Sequence, residues 1–173
     1  MTHRHFTACL LLLFVLISLI VLLDSIAKPD VLPVGSIIPT IVYKDRAGFS
    51  VLKRTPGIPV LVLSYHLQCK YCHMLLQEMN QNIHKFAHLQ LVLFSPAVSF
   101  QELPELPDWP KLRQAPNVLY GIVQKKQFKD RFGTCASPAL FLFDDRGILR
   151  TKIKGEIGID RLFDMLNDLG IPQ

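Results

Sequence analysis

No charged residue stands between His5 and Asp24 in this 173-residue chain. The uncharged run from Phe6 to Leu23 is overwhelmingly apolar and covers 18 residues, near the lower limit of the ~17–25 that a helix needs to cross a bilayer. No polar face interrupts it, which excludes the amphipathic helix of an ordinary soluble core. Self-similarity at a period of about 20–50 residues is also missing, which excludes a repeat array. The net charge is only +5 and the basic residues are scattered, from Lys44 and Arg46 through Lys125 and Lys129 to Arg150 and Lys154. Without an aromatic-interleaved basic motif, nucleic acid is not an expected partner. Cysteine is scarce, at four residues.

The charge-free run is expected to be an uncleaved signal-anchor within residues 1–27. It exceeds the core of about 7–15 residues of a cleavable signal peptide. Ser25-Ile26-Ala27 resembles a small-residue cleavage site, so secretion after cleavage near Ala27 is the alternative. Either route carries the remainder across the membrane with Arg4 held inside, and places its thiols in an oxidising compartment. Cys9 lies before any plausible cleavage point and is expected to pack against lipid or another helix. Residues 28–34, with Pro29 and Pro33, read as a short stiff tether. Residues 35–173 form the domain, with 18 basic and 13 acidic residues beyond position 27, a balance expected of a solvated surface.

Within that domain the most informative stretch is Cys69-Lys70-Tyr71-Cys72-His73. Two thiols three positions apart at a helix start can exchange two electrons as a disulfide. The apolar run Val60 to Ser64 precedes them and reads as a strand covered on both faces. After them Leu75, Leu76, Met79, Ile83 and Phe86 recur at helical spacing, predicting one amphipathic helix from the dithiol onward. A strand at Leu89 to Phe94 then completes a parallel crossover. Ile37 to Tyr43 and Phe49 to Leu52 predict a hairpin around Lys44–Gly48. Five prolines break residues 96–116 into an irregular loop with room for one helical turn, whose Trp109 caps the core or lines a partner groove.

The last third predicts a strand at Val118 to Val123, a basic helix at about Lys125 to Phe132, and a hairpin of Ala139 to Phe143 with Ile148 to Lys154. A closing helix is expected to bury Ile159, Leu162, Phe163, Leu166 and Leu169. The fold class is α/β, a mixed central sheet with flanking helices, preceded by the N-terminal transmembrane helix.

Over roughly residues 35–170 the chain resembles the thioredoxin superfamily, and within it the membrane-anchored TlpA/ResA-like thiol-disulfide oxidoreductases. The resemblance rests on the strand leading into Cys69-Lys70-Tyr71-Cys72 and the helix after it. It rests also on the block Phe132-Gly133-Thr134-Cys135-Ala136-Ser137-Pro138-Ala139-Leu140-Phe141-Leu142-Phe143 followed by Asp145-Arg146-Gly147, which looks like the family's helix end, cis-proline and strand. It implies Cys69 as attacking thiolate, where the helix dipole stabilises negative charge. Cys72 would resolve the mixed disulfide, with Lys70 and Tyr71 modulating the pair. Pro138 would lie beside the dithiol, and Ser137 would contact substrate. The resemblance implies protein dithiol or disulfide substrates, a membrane electron donor that keeps the dithiol reduced, and no organic cofactor. It further implies a single-pass protein of the inner membrane whose domain faces the periplasm.

The chain departs from that pattern in two places. Gln68 stands where many relatives carry an aromatic residue, and Leu63 where many carry a buried acid, which leaves His66 and His73 as the nearest titratable side chains. Tyr65-His66-Leu67-Gln68 does not match the peroxidase branch, so peroxide reduction is not expected. A Cys69–Cys72 disulfide would leave Cys135 over, expected as an inert buried thiol. Two alternatives stay open. Cys69, Cys72 and His73 also spell a c-type haem attachment site, with Met74, Met79 or Met165 as second ligand. A third reading is a copper or metal-binding assembly factor, because His73, Asn80, His84 and His88 fall near one helical stripe.

Overall fold

A computed structural model describes residues 13–19, 30–100 and 109–173. The chain divides into two units, Met1–Asp30 and Val31–Gln173. In the first, residues 13–19 form a helix (α1) with exposed side chains. The remainder of the expected membrane segment and the cleavage-like Ser25-Ile26-Ala27 lie outside the described residues. Among the described residues no helix is long and apolar enough to cross a membrane.

The second unit contains strands β1 (Val42–Asp45), β2 (Gly48–Val51) and β3 (Val60–Ser64), then helix α2 (Lys70–Gln81). A 3-10 turn at Ile83–Phe86 leads to β4 (Gln90–Ala97), α3 (Pro110–Gln114), β5 (Val118–Gln124) and α4 (Lys125–Phe132). The hairpin of β6 (Ala139–Phe143) and β7 (Leu149–Lys154) and helix α5 (Ile159–Asp168) close the chain. The strands form one sheet in the order β2-β1-β5-β4-β3-β6-β7. β3, β4 and β5 run parallel, while β1, β6 and β7 make antiparallel pairings.

Successive residues of a strand face opposite sides of a sheet, and that rule explains the nearly continuous apolar runs. Leu61 and Leu63 of β3, Leu91 and Leu93 of β4, and Leu140 and Leu142 of β6 pack into one core with α2, α3 and α5. Val60 and Val62, Val92 and Phe94, and Phe141 and Phe143 pack into a second core with Phe128 and Phe132 of α4. A strand buried on both sides has no position for a polar residue until it leaves the sheet. β1 lies so close to β5 that a Cβ at Gly121 would meet the Lys44 carbonyl oxygen and the Tyr43 ring at 2.8 Å. Glycine at that position permits the pairing.

The structure corrects several boundaries. The helix from the dithiol stops at Gln81, because the Asn82 side chain and backbone N–H both donate to the Glu78 carbonyl, at 2.9 and 3.0 Å. That side-chain bond competes with a further helical turn, and the apolar stripe is continued by the 3-10 turn that buries Phe86. The first hairpin is tighter than the expected turn at residues 44–48. Lys44 and Asp45 belong to β1, and the Asp45 carboxylate accepts from the Ala47 and Gly48 N–H groups. Leu169 is 38% exposed rather than buried, since α5 ends at Asp168.

Candidate active site

Antiparallel pairing of β3 with β6 sets Ser64 opposite Ala139. The chain leaves β3 at Ser64 toward the dithiol and enters β6 at Ala139 from Pro138, so the two loops meet at one end of the sheet. The Ser137–Pro138 peptide is cis. Cys69 is the N-cap of α2, and its Sγ accepts a hydrogen bond from the Cys72 N–H at 3.4 Å. On its other side the Cys69 Sγ–H donates to the Ser137 carbonyl at 3.4 Å. The structure thus brings Cys69, Cys72, Ser137 and Pro138 together, with both cysteines as free thiols.

The two thiols differ in setting. Cys69 is partly exposed and Cys72 is buried. Burial pushes the Cys72 thiol up to about 12, and its hydrogen bond with Cys69 adds to the rise, while a backbone hydrogen bond from His66 opposes it. A buried thiol in apolar surroundings resists ionisation because the charged form loses its hydration. Lys70 and Tyr71 begin α2 on its exposed side.

His66 shapes the entry to the site. Its carbonyl accepts from the Cys69 N–H at 3.0 Å, and its Nδ1 accepts from the Gln68 N–H at 3.2 Å. His73 is turned to structural partners. Its Nε2–H donates to the Leu67 carbonyl, and its ring meets the edge of Trp109 at 5.0 Å. Of the methionines available as a second ligand in the haem alternative, Met79 is buried in the core, as its place on the apolar stripe implies, and Met74 is half-exposed.

The histidine stripe is not reproduced. His84 lies in the 3-10 turn and His88 beyond it, so their spacing is not that of one continuous α-helix. Asn80 is committed elsewhere, because its Oδ1 accepts from the N–H groups of Lys111 and Leu112. Among the described residues no three His, Cys, Asp or Glu side chains gather as a metal site requires. Cys135 is only partly buried, not sealed in the core as expected. It borders a pocket of ≈ 790 Å³ with Lys125, Lys126 and Lys129, and its Sγ–H donates to the Lys125 carbonyl at 3.5 Å.

Sequence reasoning missed two residues of this region. Ser64 is fully buried, and its hydroxyl meets that of Ser137 at 3.0 Å. Its signal was a lone hydroxyl ending an otherwise apolar strand. Tyr65, next in the chain, is also fully buried, and among the described residues its hydroxyl has no hydrogen-bond partner. Of the two roles open to Trp109, its 2% exposure assigns it to capping the core.

The sequence matches the thioredoxin-like domain family over residues 52–170. No curated protein sequence matches the chain. Among solved structures, it is similar to a putative thiol:disulfide interchange protein DsbE from Chlorobium tepidum, at 19% identity and a TM-score of 0.59, over 81% of this chain and 98% of that one. It is also similar to a thiol:disulfide interchange protein from Bacteroides sp., at 22% identity and a TM-score of 0.56, over 80% of this chain and 90% of that one. A peroxiredoxin-like protein from Aquifex aeolicus aligns at 14% identity and a TM-score of 0.58, over 82% of this chain and 90% of that one. These distant likenesses speak for the fold, and the match over residues 52–170 for the family: the chain belongs to the thioredoxin-like domain family.

Proposed function

We propose that this protein is an extracytoplasmic thiol-disulfide oxidoreductase that reduces disulfides of protein substrates with the Cys69–Cys72 dithiol. The observation that carries the reading is the asymmetry of the two thiols. Cys69 is reachable and accepts the Cys72 N–H, whereas Cys72 is buried with its ionisation suppressed. A partly exposed thiol at a helix N-cap suits the attacking role, and a sheltered neighbour suits the resolving one.

In the forward direction the Cys69 thiolate attacks one sulfur of a substrate disulfide. The substrate S–S bond breaks, a Cys69–substrate disulfide forms, and the first substrate sulfur leaves as a thiolate. Cys72 then loses its proton and attacks the Cys69 sulfur, which forms the Cys69–Cys72 disulfide and releases the second substrate thiolate. Two electrons have passed to the substrate, whose two thiolates take up protons. Ser137 and Pro138 are the proposed substrate-contact residues, and Lys70, Tyr71, His66 and His73 the proposed modulators. A membrane electron donor would restore the dithiol. The charge-free run of residues 6–23 supports a single-pass anchor in the inner membrane with the domain in the periplasm.

Reduction of insulin disulfides and the equilibrium potential of the Cys69–Cys72 pair test this reading together. Activity lost in Cys69→Ser and a reducing potential are expected. A potential near that of a strong oxidant would remove the reductant role. Activity that survives Cys69→Ser and disappears in Cys135→Ser would make Cys135 the nucleophile and overturn the reading.

A further inference from the structure

A neutral thiol and a thiolate ask for different partners, since the first donates a hydrogen bond and the second only accepts. Cys69 has one of each. The Cys72 N–H at 3.4 Å favours the thiolate, and the Ser137 carbonyl at 3.4 Å favours the thiol. A hydrogen bond to the neutral form raises the cost of ionisation, and a carbonyl dipole aimed at the sulfur opposes negative charge on it. The position of Ser137 is therefore a control on the nucleophile. The Ser137 side chain is held from the other side, where its Oγ meets the Oγ of Ser64 at 3.0 Å. Ser64 is rigidly placed, with no exposure and with strands paired on both sides.

We propose that Ser64 is a positioning residue of the dithiol site, which holds Ser137 through the hydroxyl pair so that the Ser137 carbonyl restrains ionisation of Cys69. The inference rests on the reading of Cys69 as the attacking thiol. Freed from Ser64, residue 137 would move relative to the sulfur, the thiolate would form more readily, and the contact surface beside Pro138 would lose its register.

The test is the rate of Cys69 alkylation by iodoacetamide against pH in the reduced full-length protein, with peptide mass spectrometry separating Cys69 from Cys72 and Cys135. In Ser64→Ala the profile is expected to move to lower pH with an unchanged alkaline plateau, giving about two- to five-fold faster alkylation near neutrality, the scale of one modest hydrogen bond. Ser137→Ala should give the same shift, and the double variant no more than either single one, because both act through one contact. Ser137 is partly exposed and its truncation opens no core cavity, so it decides the matter if Ser64→Ala fails to fold. A profile unchanged in Ser137→Ala, or a raised plateau with no shift along the pH axis, would overturn the proposal. Alkylation requires no protein substrate. Wild-type protein that reduces no disulfide would remove the functional reading and leave this measurement able to decide the role of Ser64.

Discussion

Asn80 caps Lys111: the Asn80 Oδ1 accepts the Lys111 N–H at 2.9 Å and also the Leu112 N–H at 3.1 Å. The residue at the N-cap of α3, Trp109, makes no side-chain cap bond, so the helix that carries the dithiol supplies the missing acceptor from outside. Asn80→Ala is expected to lower unfolding stability by about 1 kcal/mol, the usual cost of losing a cap. Hydrogen exchange at Lys111 and Leu112 should rise by more than the global change predicts. Exchange there that tracks global stability alone would show that the cap is not local.

Tyr65 buries a hydroxyl that finds no partner among the described residues, in the same core that takes Cys72. Burial, and then the neighbouring Tyr120, push its ionisation upward, and an unsatisfied buried polar group costs ~1–3 kcal/mol. Tyr65→Phe is therefore expected to stabilise the protein, by roughly 1 kcal/mol in denaturant melts. A loss of stability would mean that the hydroxyl is satisfied.

Cys72 makes stability pH-dependent on the alkaline side. Its thiol is raised from about 9 to about 12 in the folded protein, so the folded state keeps a proton that the unfolded chain has lost. The contribution is complete below about pH 9 and falls as pH rises toward about 12. Reduced Cys72→Ala is expected to start less stable, with a shallower decline between pH 8 and 10.5. Parallel curves for the two proteins would contradict the assignment.

Much of this architecture was legible because both cores impose strict rules on sequence. Val60 to Ser64 and Ala139 to Phe143 read as strands from their unbroken apolar character, and the structure places both with all five residues buried. The stripe Leu75, Leu76, Met79, Ile83 and Phe86 does face the core, with Ile83 only partly buried, but it is not one helix. Spacings of three and four are shared by an α-helix and by an α-helix followed by a 3-10 turn, and the Asn82 bond to Glu78 that separates them is a side-chain event. The nearness of Ser137 to Cys69 followed from motif order only by resemblance. Its physical basis is the register of Ser64 with Ala139, which no local pattern states. The Ser64 to Ser137 contact spans 73 positions and could not be read from either residue's neighbours. The partial exposure of Cys135 was unexpected for the same reason, since a single cysteine carries no periodicity.

The central claim is that Cys69 attacks and Cys72 resolves, and trapping tests it most directly. Cys72→Ser removes the resolving thiol, so incubation of the full-length variant with a disulfide-bonded protein substrate should accumulate a mixed disulfide. Peptide mapping should place that bond at Cys69, and Cys69→Ser should trap none. A mixed disulfide mapped to Cys135, or no trapped species from a variant that is folded and fully reduced, would contradict the account.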